Sequence, residues 1–207
     1  LDPDRLSVFN YAHLPERFMP QRRINEADLP SGEEKLGMLE DSIQMLTEAG
    51  YHYVGMDHFA KPDDSLAQAQ MAGKLHRNFQ GYTTHEECDL VALGVSSISQ
   101  VGDAYFQNSA DIEEYMAQID ESQLPIKRGV ILTEEDDLRR AVIKQLICHF
   151  ELDYEHFNQA FGINFTEHFA DQLASLHDYI NDELVELNDN GIRVTQKGGL
   201  LIRNICM

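Results

Sequence analysis

The run His76-Arg77-Asn78-Phe79-Gln80-Gly81-Tyr82-Thr83-Thr84 gathers a cation, two amides, two aromatic rings, a glycine and paired hydroxyls with almost no aliphatic content. Glycine lets a backbone approach a ligand closely. The surrounding side chains can stack on it and hydrogen-bond to it. Placed between two apolar, strand-like runs, the segment reads as a functional loop at the rim of a scaffold. Three other places carry residue types suited to chemistry. Asp57-His58 has the composition of an acid–base pair, but neighbours on a strand face opposite sides, so a structural histidine is preferred to a general base. Arg22, Arg23 and Arg77 are cations in a chain with 36 acidic and 16 basic residues. Such cations are candidates for holding carboxylates in a bidentate fork. Gly94-Val95-Ser96-Ser97-Ile98 has the look of a ligand-cradling turn, although a single glycine is a weak signal and Ile98 on composition alone is core.

No residue is assigned as catalytic. The nine histidines show neither HxH nor HExxH spacing, so no metal site is expected in this chain. Cys88, Cys148 and Cys206 each stand alone, with no CxxC or CxxxCxxC spacing. They read as free buried thiols in a reducing cytosol.

These residues need elements to position them. Arg5 to Ala12 alternates and predicts a strand. His13 to Leu29 reads as a loop holding Arg22 and Arg23. Ser31 with Glu34 forms a capping box that opens a helix with apolar Leu36, Leu39, Ile43 and Leu46, ended by Gly50. Tyr51 to Met56 predicts the next strand, which makes a βαβ unit with a right-handed crossover and puts Asp57-His58 at a strand end. A short helix over 63–75 precedes the 76–84 loop. Asp89 to Val95 predicts a third, nearly all-apolar strand, and 109–120 a further helix. Three strand ends, Asn10-Tyr11-Ala12, Asp57-His58 and Gly94 to Ser99, are expected to converge with the 76–84 loop on one face of a barrel.

From about residue 131 the pattern becomes helical. Thr133-Glu134-Glu135-Asp136 caps a helix through 150, with helices at about 153–161 and 166–180. A hairpin over Leu184–Thr195 is predicted to turn at Asn190-Gly191, and a last helix runs from Lys197 to Met207. Helices followed by a hairpin wing predict a winged-helix-like domain. The expected fold is therefore α/β, with residues 1–130 as barrel and 131–207 as a mainly helical domain.

The chain has 207 residues and a formal charge of −20. Such acidity disfavours phosphate backbones and anionic membranes, so neither nucleic acid nor membrane is an expected partner. The helical domain lacks a basic stripe, so it reads as a lid or packing module. No apolar run reaches the length of a membrane span. The first residue is Leu1, and Ile205-Cys206-Met207 falls inside an apolar helical pattern. Both ends look cut, and the chain is read as a piece of a longer protein.

Four blocks carry a resemblance: Leu1 to Pro15, Gly55-Met56-Asp57-His58-Phe59-Ala60, His76 to Thr84, and Leu201-Ile202-Arg203-Asn204-Ile205-Cys206-Met207. In order and along the whole chain they resemble the oxygen-independent coproporphyrinogen III oxidase family of radical S-adenosylmethionine enzymes. A sister group of haem-chaperone-like radical proteins has an Asn-aromatic/Trp signature at the third block, and this chain has no Trp. The resemblance implies the C-terminal portion of a partial (β/α) radical barrel followed by the helical domain. It implies a [4Fe–4S] cluster held by a CxxxCxxC motif that lies outside this chain, and two S-adenosylmethionines in the full enzyme.

The implied reaction is oxidative decarboxylation of two propionates of coproporphyrinogen III to vinyl groups, by a 5′-deoxyadenosyl radical, giving protoporphyrinogen IX in haem synthesis. Ala12 and Ile98 match contacts to the second S-adenosylmethionine. Phe79 and Gln80 match the family's conserved loop and are expected to line the same cavity. Tyr11 next to Ala12 is a further cavity candidate, and Arg22, Arg23 and Arg77 are substrate candidates. A tetrapyrrole is the implied substrate, and the resemblance leaves the electron donor and acceptor unnamed. The implied setting is cytoplasmic, with a monomeric full-length enzyme. Alone, this segment is expected to be inactive and prone to self-association. The alternatives are a haem-binding chaperone of the same superfamily and a winged-helix interaction module.

Overall fold

The computed structural model describes residues 2–86 and 88–207. The chain divides into two compact units, Leu1–Gly73 and Lys74–Met207, each with its own strands and helices. It is a mixed α/β protein.

The first unit is built on a three-stranded sheet. Its elements are β1 (Arg5–Ser7), α1 (Gly32–Glu48), β2 (His52–Gly55), β3 (His58–Ala60) and α2 (Ser65–Met71), and the sheet order is β1-β3-β2. The segment before α1 carries two 3₁₀ turns, Met19–Arg23 and Glu26–Asp28. The Ser31–Glu34 capping box opens α1 as expected. The strand expected through Ala12 stops at Ser7.

The simple βαβ unit is also corrected. β1 and β2 both pair antiparallel with β3, which lies between them. The cause is a tight hairpin after β2, in which Gly55 (φ 141°) and Met56 (φ 53°) reverse the chain. Glycine adopts that backbone freely, whereas Met rarely does, so the turn carried no sequence signal. Val54, Phe59, Ala60, Leu66 and Ala67 bury the interior of the unit. Gln70 of α2 ties itself to the sheet by donating from Nε2 to the Val54 carbonyl at 2.6 Å. Arg5 is paired with Asp64 at 2.8 Å.

The second unit begins with the hairpin β4 (His76–Asn78) and β5 (Gly81–Thr83). The predicted loop at 76–84 is thus a two-stranded ribbon with Phe79 and Gln80 at its tip. Main-chain pairing is indifferent to the polar side chains that made the segment read as a loop. A meander follows: β6 (Ile98–Val101), β7 (Ala104–Asn108), α3 (Ile112–Asp120) and β8 (Ile126–Ile131), with sheet order β6-β7-β8. The strand expected at Asp89–Val95 reduces to one antiparallel bridge, Leu90 with Gln100. Val91 and Leu93 are exposed, so its apolar character does not reflect burial here. Every strand pair among the described residues is antiparallel.

The rest of this unit is α4 (Glu134–His149), β9 (Glu151–Asp153), α5 (Tyr154–Phe161), α6 (Phe165–His168), α7 (Ala170–Ser175), α8 (His177–Asn181), β10 (Val185–Asn188), β11 (Gly191–Val194), α9 (Gln196–Gly199) and α10 (Ile202–Ile205). Helix α4 is opened by a Thr133–Asp136 capping box. The single helix expected at 166–180 is broken into three short ones, and the last expected helix into two.

The small sheet has the order β10-β11-β9. Its hairpin turns at Asp189-Asn190, one residue before the expected Asn190-Gly191, because Asn188 pairs with Gly191. Gly191 serves close approach instead: a Cβ there would collide with the Leu152 carbonyl on β9. The core is aromatic. Phe165 is buried against Tyr154 (4.8 Å between centroids), Phe169 (4.7 Å) and Phe157 (5.8 Å).

Candidate functional site

In the first unit, Tyr11, Ala12, Arg22 and Arg23 lie on the segment between β1 and α1, and all four are exposed. Gln21 ties this segment together, accepting from the Leu14 amide at 2.5 Å and donating to the Ala12 carbonyl at 3.1 Å. Ala12 thereby presents a methyl group on a braced backbone. The Tyr11 hydroxyl sits 3.2 Å from His13 Nδ1. Arg22 Nε donates to the Pro15 carbonyl at 2.9 Å, which folds its side chain over its own loop.

Asp57 occupies the β2–β3 turn and His58 opens β3. The expectation that their side chains diverge is corrected, since His58 Nδ1 lies 3.5 Å from Asp57 Oδ1. The turn removes the strand alternation on which that expectation rested. Asp57 Oδ2 also accepts from Ser7 Oγ at 2.7 Å. The nearby Tyr53 hydroxyl has its pKa pushed up to about 12 by burial and by the Asp57 charge.

In the second unit, Ile98 is half-buried at the start of β6, opposite Gln107. The turn before it is braced: Ser97 Oγ donates to the Gly94 carbonyl at 2.8 Å, and Asn108 Nδ2 reaches the same carbonyl at 3.0 Å. The hairpin tip is exposed, and the Gln80 amide donates to Asn78 Oδ1 at 2.8 Å.

Arg77 and Phe79 line a cleft of about 330 Å³. Ile143, Lys144 and Ile147 of α4 supply one side of it. Tyr105 of β7 meets Phe79 edge-on at 5.1 Å. The hairpin is held to α4 by the Tyr82 hydroxyl, which donates to the Ile147 carbonyl at 3.3 Å. The Arg77 guanidinium lies 4.9 Å from the Tyr82 ring centre.

Positive charge accumulates here. Burial, and then the Arg140 charge, lower the Lys144 pKa. Burial pushes the Cys148 thiol up to about 12, against the opposing pull of Arg77 and Lys144. Burial also lowers the His76 pKa, although His76 Nε2 lies 3.0 Å from Glu86.

Sequence reasoning singled out Arg77, Phe79 and Gln80 but missed Lys144, Arg140 and Tyr105. Helical periodicity places Arg140 with Lys144, and Ile143 with Ile147, each four residues apart. Nothing in the sequence says that the facing hairpin lies more than fifty residues upstream. The cysteine expectation needs one correction. All three thiols are free, but Cys88 is exposed while Cys148 is buried. Cys88 lies between Glu86 and Asp89, which are acidic and exposed.

Residues 132–201 match the family model described as the HemN C-terminal domain. The chain is 59% identical over 207 residues to the oxygen-independent coproporphyrinogen III oxidase of Pseudomonas aeruginosa and 53% identical over 207 residues to that of Escherichia coli. From end to end, this chain resembles the oxygen-independent coproporphyrinogen III oxidases. Each alignment covers all of the chain and 45% of the relative, so the chain spans less than half the length of these oxidases. A solved structure of coproporphyrinogen III oxidase (HemN) from Escherichia coli, described as a radical SAM enzyme, superposes with a TM-score of 0.94 at 53% identity. It matches all of this chain and 48% of that one.

Proposed function

We propose that this chain is the C-terminal part of an oxygen-independent coproporphyrinogen III oxidase. In this reading the whole enzyme decarboxylates two propionates of coproporphyrinogen III to vinyl groups and forms protoporphyrinogen IX. The observation that carries it is the 59% identity along all 207 residues to an oxidase of that name. Residues 1–130 are read as the end of a partial (β/α) barrel. Residues 131–207 are read as winged-helix-like, supported by the order α4-β9-α5-α6 to α8-β10-β11 and by the three-stranded sheet that ends in a hairpin.

The cofactor reading follows the family. The family's [4Fe–4S] cluster is held by a CxxxCxxC motif, a spacing that Cys88, Cys148 and Cys206 do not have, so in this reading the cluster ligands are assigned to sequence outside this chain. The resemblance assigns contacts to a second S-adenosylmethionine at Ala12, an exposed methyl on a braced backbone in the first unit, and at Ile98, half-buried after the Gly94 turn in the second unit. Bound to the cluster, S-adenosylmethionine supplies the radical chemistry that starts the decarboxylation. The residues of this chain contribute shape, water exclusion and charge. Ala12 leaves room, Ile98 gives an apolar face, Phe79 and Gln80 present a ring and an amide, and Arg22, Arg23 and Arg77 supply cations toward an anionic tetrapyrrole. Cytoplasmic location and a monomeric enzyme belong to the same proposal.

The test is an anaerobic assay of the full-length protein with S-adenosylmethionine, a reductant and coproporphyrinogen III. Protoporphyrinogen IX is the expected product. Tight stoichiometric haem binding without product would instead favour a haem carrier. The isolated 207-residue chain should cleave no S-adenosylmethionine under the same conditions.

A further inference from the structure

We infer that the cleft between the β4–β5 hairpin and α4 is a carboxylate-binding site, in which Arg77 and Lys144 receive one propionate arm of the tetrapyrrole substrate. This deepens the proposed function and rests on it for the identity of the arm, while the chemistry of the cleft is argued from the structure.

The argument begins with charge pairing. The chain has more than twice as many acidic as basic residues, so a half-buried cation without an acidic partner in bonding contact is unexpected. Arg140 is satisfied, with Asp137 at 2.7 Å and the Tyr105 hydroxyl at 3.3 Å. Arg77 and Lys144 are not. Arg77 Nη1 is buried and has no hydrogen-bond partner among the described residues. Lys144 feels the charges of Glu86 and Asp137 but makes neither a hydrogen bond nor an ion pair among the described residues, and its half-buried side chain lies on the same cleft. A buried donor without an acceptor is costly, and a bound carboxylate would supply the missing acceptor to both cations at once. The acids of this region do not reach the two cations: Glu86 lies beside His76 at 3.0 Å and Asp137 pairs with Arg140 at 2.7 Å, and among the described residues neither is within ion-pair distance of Arg77 or Lys144.

The remaining walls fix what the carboxylate is attached to. Ile143 and Ile147 offer aliphatic contact suited to methylene groups. Phe79 and Tyr105, edge to face, offer an aromatic rim suited to a flat ring. At about 330 Å³ the cleft sits at the small end of ligand pockets. It has room for a short acidic arm with part of a ring, not for a whole tetrapyrrole. An arm of two methylenes ending in a carboxylate on a pyrrole matches each of these surfaces.

The experiment uses the full-length enzyme and two probes that do not react, coproporphyrin III and its tetramethyl ester, whose binding is followed by fluorescence. Variants Arg77→Gln and Lys144→Gln are compared with Arg193→Gln, a control on β11. Each cleft variant should weaken coproporphyrin binding about tenfold or more, as loss of a charge-assisted hydrogen bond requires. Ester binding should stay within about twofold, and KM for coproporphyrinogen III should rise more than kcat falls. Arg77→Lys should recover part of the loss.

Unchanged coproporphyrin affinity in both Gln variants would overturn the inference, as would equal losses for acid and ester. Because Arg77 also packs on Tyr82, Lys144→Gln keeps the test decisive if Arg77→Gln does not fold. Product formation by the unsubstituted enzyme reports separately on the proposed function, so the two readings fail independently.

Discussion

At the scale of single residues, Gly191 shows a demand that composition hides. It sits where β11 passes the Leu152 carbonyl of β9, with no space for a Cβ. Gly191→Ala should lower stability by about 1–3 kcal/mol, the usual cost of forcing atoms into a packed site, measured as a shift in urea midpoint at constant slope. The cysteines differ in a testable way. A thiol reagent at mildly alkaline pH should label exposed Cys88 in the native protein. Buried Cys148, held near pKa 12, should react only on unfolding.

Two histidines set a pH dependence at the same scale. Burial lowers the pKa of both His76 and His149 below the ordinary 6.5. Their folded forms therefore bind protons less readily than the unfolded chain. The stability contributed by the neutral rings is complete above 6.5 and is lost as pH falls from there through the lowered values. Urea midpoints should decline across that window, and His76→Gln with His149→Gln should flatten the decline.

At the scale of elements, both capping boxes are visible in the sequence and present in the fold. Ser31 caps α1 and Thr133 caps α4, each with its acidic partner three residues on. Thr133→Ala should cost about 1 kcal/mol, read by chemical denaturation. Phe165→Ala, which empties the centre of the aromatic core, should cost about 3–5 kcal/mol.

Caps and helix periodicity were legible because they are local. The β2–β3 turn was not, since Met56 takes a positive φ that its side chain does not advertise. The β4–β5 ribbon reads as a loop in the sequence because its strands are short and polar, and its tip residues Phe79 and Gln80 are exposed. At the candidate site, Arg77 and Phe79 stood out by composition. Lys144 stayed hidden because pairing a helix face with a distant hairpin is tertiary information.

At the scale of the whole molecule, charge and edges dominate. A net charge of −20 makes the folded chain repel itself. Raising ionic strength to roughly 1 M, where the screening length is about 3 Å, should raise the Tm. Strand β8 lies at the edge of its sheet with all of its residues exposed, including Val130 and Ile131. Such edges recruit other strands. The isolated chain should therefore gain apparent mass with concentration in light scattering, and Val130→Lys should suppress that gain.

The anchoring of the β4–β5 ribbon on α4 bears on how relatives of this protein can be recombined. The family-model match begins at residue 132, which invites a chimera spliced there. Such a splice would part the Tyr82 hydroxyl from the Ile147 carbonyl and split Arg77 from Lys144. A crossover after Gly73 keeps ribbon, meander and helices from one parent. Hybrids joined at that point should inherit their acid-recognising cleft whole, whereas those joined at residue 132 would have to rebuild it from halves that never evolved together.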